Sequence, residues 1–261
     1  MPQPTPDYVK SLARGLAVIG AFDAAHPRQT LSDVAKVTGM TRAAARRFLL
    51  TLSELGYVRV DGALFSLTPK VLDLGYSYLS SLTLPEVAAP HLEMLTNRVN
   101  ESASVSMLDG LDIVYIARVP VSRIMTVSIR IGTRFPAYAT SMGRVLLAGL
   151  PESELSEYLG KVELKPLTVR TITTTTAFRQ ELSRVRRHGY CVVDQELEEG
   201  LRSLAAPIRD HKGKVVAAVN ISTPAARYTA TTVRNTLLPA LLATADAIHR
   251  DLVRVNSSPI H

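Results

Sequence analysis

Arg42, Arg46 and Arg47 fall within the run Thr41–Leu55, TRAAARRFLLTLSEL. At helical spacing Arg42 and Arg46 share a face with Ser53, and Arg47 flanks them. Guanidinium groups in that pattern neutralise phosphates and hydrogen-bond base edges, which suits the major groove of DNA. A solvated helix face is the plainer reading of such a cluster. A second set is polar: Asp194, Glu196, Ser203, Asn220 and Ser222. Asn220 and Ser222 are two apart, so on a strand they share a face. If Val219 and Ile221 face a core, the polar pair lines a concavity. Spacing alone leaves a solvated sheet face open. Sheet-lined pockets with few polar groups are the usual form of a small-molecule site.

Other chemistries find little support. Cys191 follows His188 closely but opens an apolar stretch, where a buried structural thiol is expected. The six histidines show no HxxxH spacing, and with one cysteine no zinc site is expected. Ser141-Met142-Gly143-Arg144 lacks the G-x-S-x-G frame of a nucleophile elbow. No catalytic residue, metal or cofactor is therefore expected, and the chain reads as a non-enzyme. The competing class is an enzyme acting on a small carboxylic acid, with an appended DNA-binding domain and Asp194 or Glu196 as acid or base.

The arginines need a helix to present them. Thr30 is a good N-cap, with Asp33 three residues on. Leu31, Val34 and Ala35 recur at helical spacing, and Gly39 supplies the left-handed residue that ends the helix. Thr41 caps a second helix, whose Ala44, Phe48, Leu52 and Leu55 are expected to pack. From Tyr57 to Leu67 two alternating runs flank Asp61-Gly62, a strong hairpin signal. A helix from Tyr8 to Ala24, with Leu12, Leu16, Ile19 and Phe22 on one side, would close a three-helix core. The prediction is a winged helix-turn-helix over residues 1–67, with 1–7 a frayed tail. Its expected DNA-facing set is Ser11, Arg14, Thr41, Arg42, Ala43, Arg46, Arg47 and Arg59.

Thr68-Pro69 starts a linker helix to about Leu82, residues 68–82. Residues 83–255 form the second domain. Helices are predicted at Pro85–Asn100, Ser141–Leu150, Pro151–Leu159, Phe178–His188 and Thr229 to about Val253. Strands are predicted at Ala103–Leu108, Asp112–Val119, Met125–Ile131, Tyr190–Asp194, Arg202–Arg209 and Val215–Ser222. Strands joined mainly by hairpins predict an α+β fold with an antiparallel sheet covered on one or both faces. Residues 256–261 read as a disordered tail.

Composition agrees with two folded domains: 261 residues, 46% hydrophobic and 20% charged. The net charge is +7 with a pI near 9.7. Residues 1–70 carry nine Lys/Arg against five Asp/Glu, which favours a polyanionic partner. No apolar run approaches the roughly 18 residues of a membrane span. No signal-peptide pattern opens the chain, and its single cysteine fits a reducing cytoplasm.

Six stretches resemble the IclR family of transcriptional regulators. They are Ser11–Phe22, Leu31–Val58, Phe65–Gly75, Ala139–Leu150, Gly189–Ile208 and Ala218–Thr223, and the likeness runs from about residue 8 to 253. The resemblance implies a GAF-like effector domain behind the linker helix, assembled as homodimers or dimers of dimers on a double-stranded operator. It places a carboxylic-acid effector at Ser141-Met142, Asp194, Ser203, Asn220 and Ser222, and leaves Glu196 poorly aligned. Arg123–Leu150 is similar to the subgroup that controls aromatic-acid breakdown through the β-ketoadipate pathway. That implies protocatechuate, 4-hydroxybenzoate or β-ketoadipate as effector, with Arg118 or Arg134 pairing with the acid.

Overall fold

Local capping starts each helix of the first motif. The Thr30 side chain accepts from the Asp33 amide while Asp33 accepts from the Thr30 amide, a closed capping box at the head of α2 (Leu31–Thr38). Gly39, at φ 66°, ends that helix in the left-handed region open to glycine. Thr41 then caps α3 (Arg42–Glu54) by accepting from the Ala44 amide. The computed structural model describes residues 8–23, 25–74, 83–121 and 129–257. The chain divides into two compact units, Met1–Ser81 and Leu82–His261.

In the first unit, α1 (Lys10–Gly20) precedes α2 and α3. A short strand β1 (Gln29–Thr30) and the hairpin β2 (Val58–Asp61) and β3 (Leu64–Leu67) form the wing, in the order β1-β3-β2. The core gathers Val18, Val34, Ala35, Ala45, Leu49 and Leu52 with Val58 and Phe65. Two expected stripes are displaced. On α3 the buried face is Ala45, Leu49 and Leu52; Ala44 and Phe48 lie at its border, and Leu55 is exposed. The reason is that Phe48 leans toward Gly15 on α1, so the seam is shared and the centre of burial moves by one residue. On α1 the last turn packs through Val18, with Ala21 just beyond it, and Gly15 faces Phe48, whereas Leu12 and Leu16 are 64% and 56% exposed. Of the linker helix expected over 68–82, residues 68–70 form a turn rather than helix, 71–74 are helical, and 75–82 lie outside the described residues.

The second unit is one six-stranded antiparallel sheet, ordered β6-β5-β4-β9-β8-β7. Its strands are β4 (Ser102–Asp109), β5 (Asp112–Val119), β6 (Arg134–Pro136), β7 (Cys191–Asp194), β8 (Leu201–Arg209) and β9 (Val215–Pro224). The turns at Asp109-Gly110 and Lys212-Gly213 put each glycine at positive φ, as the hairpin signals require. The expected strand Met125–Ile131 lies largely outside the described residues, and 129–131 are not strand. One sheet face is covered by α4 (Thr83–Val99) and α8 (Leu238–Ser257), which pack on Val105, Leu204, Val219 and Ile221. The other carries α5 (Ser141–Ala148), α6 (Glu152–Lys161) and α7 (Thr175–His188) over Ile113, Cys191, Val193 and Ala218. The last helix begins as a short turn, Ala230–Thr232, and a π-helical turn, Val233–Leu237. It continues through Ser257, past the expected start of the tail; 258–261 lie outside the described residues.

Helix α5 sits on a 3-10 turn, Ala137–Ala139, at very short range. A Cβ added to Gly143 would lie 2.1 Å from the Ala137 carbonyl oxygen. Nothing lies within 4 Å of a Cβ added to exposed Gly160 on α6. Gly143→Ala should therefore destabilise the chain by about 1–3 kcal/mol through forced backbone movement. Gly160→Ala should stabilise it by about 0.5–1 kcal/mol. Urea unfolding of the two variants reads both signs, and equal effects would contradict the packing assigned to α5.

Candidate functional site

Two sites emerge, one in each unit. In the first, Arg42, Ala43, Arg46 and Arg47 are exposed along the N-terminal half of α3, beginning at the exposed cap Thr41. Arg59 is exposed on the wing strand β2, and Ser53 is half-buried. Ser11, Arg14 and Arg47 converge with Lys10 and Thr51 on one groove between α1 and α3. Lys10 and Thr51 escape a search for arginine clusters because neither belongs to one; their i, i+4 spacing to Arg14 and Arg47 is the signal that finds them. None of Arg14, Arg42, Arg46, Arg47 or Arg59 has a salt bridge among the described residues. In the second unit most arginines are paired, including Arg134, Arg144, Arg170, Arg179, Arg184, Arg202 and Arg227. The first unit thus presents cations that have no acidic neighbour to satisfy them, as a phosphate-binding surface needs.

The second site is a cavity between the sheet and the start of α5. Ser141, Met142, Ser203, Asn220 and Ser222 all line it. The sheet register explains why: Ser203 pairs with Ser222 and Ala205 with Asn220, and cross-strand partners share a face. Tyr115 and Phe135 form one wall, their rings 5.9 Å apart and edge to face. Ile129, Leu197 and Leu201 close the apolar side, and exposed Glu198 stands at the mouth. The space enclosed is small, about 30 Å³.

Its polar groups are incompletely used. Thr140 caps α5 by accepting from the Gly143 amide at 3.1 Å, which leaves the amides of Ser141 and Met142 as the orphan donors of a first turn. The Ser141 hydroxyl and the Asn220 amide oxygen are buried with no hydrogen-bond partner among the described residues. The Asn220 amide nitrogen donates to Ser222 at 3.0 Å. Ser106 donates to the Met142 sulfur at 3.2 Å, holding that side chain against β4. Beside the cavity, half-buried Arg118 donates to the Ser104 hydroxyl at 3.1 Å, and Ser104 is the ladder partner of Asn220. Burial disfavours the Arg118 charge and pulls its pKa below the ordinary value, with the nearby Tyr115 opposing. It has no acidic partner among the described residues. Burial pushes the Tyr115 phenol up to about 12, so it stays a neutral donor at any physiological pH.

Three expected site residues are placed elsewhere. Asp194 points to the opposite sheet face: Cys191 and Val193 turn toward α5, so the pleat sends Asp194 the other way. There it meets Arg202 at 3.0 Å and Arg170 at 3.1 Å. Burial tends to raise its pKa, but these two arginines hold it below the usual carboxylate value. Val193, not Asp194, occupies the cavity-side position on β7. Arg134 lies at the outer edge of the sheet, bound to Asp109 at 2.6 Å and Asp112 at 3.3 Å. Glu196 is buried behind α5 rather than in the cavity. Arg144, 1% exposed, donates to both its carboxylate oxygens at 2.7 and 2.5 Å and to the Tyr138 carbonyl at 2.9 Å. Sequence reasoning missed Arg144 because its neighbours in the chain are apolar and its partner lies 52 residues away. Cys191 is fully buried, and burial pushes its thiol up to about 12, far from a nucleophilic thiolate.

Comparison with known proteins matches both units to one family. A family profile described as "IclR helix-turn-helix domain" matches residues 11–62, and one described as "Bacterial transcriptional regulator IclR C-terminal" matches residues 76–250. The chain is 47% identical over 247 residues to the Pca regulon regulatory protein of Pseudomonas putida, covering 94% of this chain and 85% of that one. A crystal structure of a transcriptional regulator from Rhodococcus sp. RHA1 is 65% identical, with a TM-score of 0.89 over 95% of this chain and all of that one. An IclR homolog from Microbacterium hydrocarbonoxydans complexed with 4-hydroxybenzoate is 27% identical, with a TM-score of 0.82 over 93% of this chain and 98% of that one.

A ligand-binding group and a structural group should respond oppositely to removal. Ser141→Ala deletes an orphaned hydroxyl, so stability should be unchanged or rise by about 1 kcal/mol. Glu196→Ala strands a buried guanidinium and should cost about 3–5 kcal/mol. Chemical denaturation measures both, and a large loss in Ser141→Ala would assign that hydroxyl to the fold.

Proposed function

The chain belongs to the IclR family of DNA-binding bacterial transcriptional regulators, and we propose that a small aromatic or β-ketoadipate-type acid in its C-terminal cavity governs how its winged units hold an operator. The observation that carries the effector reading is the pair of orphaned polar atoms, Ser141 Oγ and Asn220 Oδ1, facing one cavity. Arg118 is the guanidinium that meets the carboxylate, since it is half-buried and has no acid of its own among the described residues. The first-turn amides of α5 add partial positive charge beside it. Tyr115 and Phe135 supply the flat apolar wall that a ring requires. The hydroxybenzoate bound by the Microbacterium homolog supports a ring of that size. Met142, Leu197 and Ile129 would move to admit it, so the ligand selects a more open arrangement.

On the DNA side, Arg42 and Arg46 reach base edges from α3, with Thr41 and Ala43 at its start. Ser11, Arg14, Arg47 and Arg59 hold phosphates. A dimer or a dimer of dimers would set two such helices on half-sites of a cytoplasmic operator. The chain is read as one that does not turn its ligand over, since Asp194 and Glu196, the two carboxylates weighed as acid or base, are each engaged by arginine.

Fluorescence anisotropy with the DNA upstream of the chain's own gene tests this, in the presence and absence of 4-hydroxybenzoate, protocatechuate or β-ketoadipate. One of these acids should change the affinity, and Arg118→Met should remove the change while leaving acid-free DNA binding intact. Arg42→Ala or Arg46→Ala should weaken binding by about 1–3 kcal/mol. Arg47→Gln should weaken all sequences alike and flatten the salt dependence by roughly one counterion. No response to any acid, or wild-type DNA binding by Arg42→Ala, Arg46→Ala and Arg47→Gln alike, overturns the respective half of the proposal.

A further inference from the structure

The second unit has another opening, on the sheet face opposite the cavity. Val192 and Leu238 form its floor, with Val233 and Ala230 beside them. Arg184, Arg202 and Arg234 stand around it, against one lining carboxylate, Asp194. The space between these atoms is about 300 Å³, larger than that of the cavity.

Its construction is specific. Tyr190, Val192 and Asp194 alternate onto this face of the edge strand β7, and α8 covers them only in part. The π-helical turn Val233–Leu237 widens the head of that helix and sets Val233 and Arg234 on the groove; such turns recur at functional sites. Arg202 is held by Asp194 at 3.0 Å and by the Tyr228 carbonyl at 2.8 Å. Arg184 is held by both oxygens of Glu181 at 2.7 Å. Two guanidinium forks are therefore fixed in place, while Arg234 is exposed and has no ion pair among the described residues.

We propose that this groove is a second ligand site, separate from the cavity, for a small organic acid with an apolar body. The carboxylate meets Arg234 and the open edge of Arg202, and the hydrocarbon covers Val192, Val233 and Leu238. An inorganic oxyanion fits poorly, because the floor offers no partner for its remaining oxygens. Arg202 and Asp194 lie on strands whose other face carries Ser203 and Val193. An acid that draws Arg202 from Asp194 therefore acts on the strands that back the cavity, which is a route for one site to modulate the other.

Isothermal titration of the full chain with benzoate, adipate and inorganic phosphate, each separately, tests the assignment. Benzoate or adipate should show a binding component that survives Arg118→Met and is weakened at least tenfold by Arg234→Glu. Ala230→Trp fills the groove without changing charge and should have the same effect; both positions are exposed, so either variant suffices if the other misfolds. Binding equal to wild type in Arg234→Glu and Ala230→Trp overturns the site. Binding abolished by Arg118→Met alone assigns all of it to the cavity and also overturns the site. Phosphate binding as tight as the organic acids overturns the ligand class. Loss in Arg234→Glu with none in Arg118→Met upholds the groove while removing the cavity reading.

Discussion

The buried ion pair between Arg144 and Glu196 is the constraint on which the cavity beside α5 depends. Taking two charges out of water costs several kcal/mol per ion, so the pair persists only if nearly every polar atom is satisfied. It is: the carboxylate accepts both guanidinium nitrogens and the Ile172 amide, and the guanidinium also donates to the Tyr138 carbonyl. Thr171 and Thr168 tie the same loop down by donating to the carbonyls of Glu196 and Gln195. One interaction thus joins α5, the turn beneath it, the segment carrying Ile172 and the loop after β7 that lines the cavity. Leu197 and Glu198, which line the cavity, follow directly from the residue so anchored. Gln195 takes a left-handed conformation, φ 63°, unusual for a non-glycine residue, and that reversal turns Glu196 inward.

Charge is apportioned differently in the two units, and the difference matches their tasks. Exposed, unpaired arginines cost little in water and are worth most when a phosphate arrives and releases its counterions. In the second unit arginines serve the fold, as clamps on carboxylates and carbonyls. Arg118 beside the cavity and Arg234 at the groove are among those that depart from that pattern, as are exposed Arg98 and Arg187.

The cavity is nearly closed, with a hydroxyl and an amide oxygen left unmatched inside it. Such groups destabilise the empty state and are rewarded only when a ligand supplies partners. Binding energy gained there favours the arrangement that admits the ligand, which links occupancy to conformation by mass action.

Much of the local structure was legible in the chain itself. The Thr30–Asp33 box, the Gly39 and Gly62 turns, the exposed arginines of α3 and the shared face of Asn220 and Ser222 all follow from contacts within a few residues. Such contacts depend on backbone stereochemistry and periodicity, which a sequence states directly. Burial and partner choice do not. The seam of α3 moved to Ala45 and Leu49 because α1 leans on Phe48. Leu12 and Leu16 stayed exposed because the core ends before them. Asp194 went to the far face because the pleat alternates it with Val193, which packs under α5. Arg144 found Glu196 across 52 residues. Those outcomes are settled by which surfaces meet once the sheet and helices close, since the cost of burying a group depends on neighbours that only the assembled fold supplies.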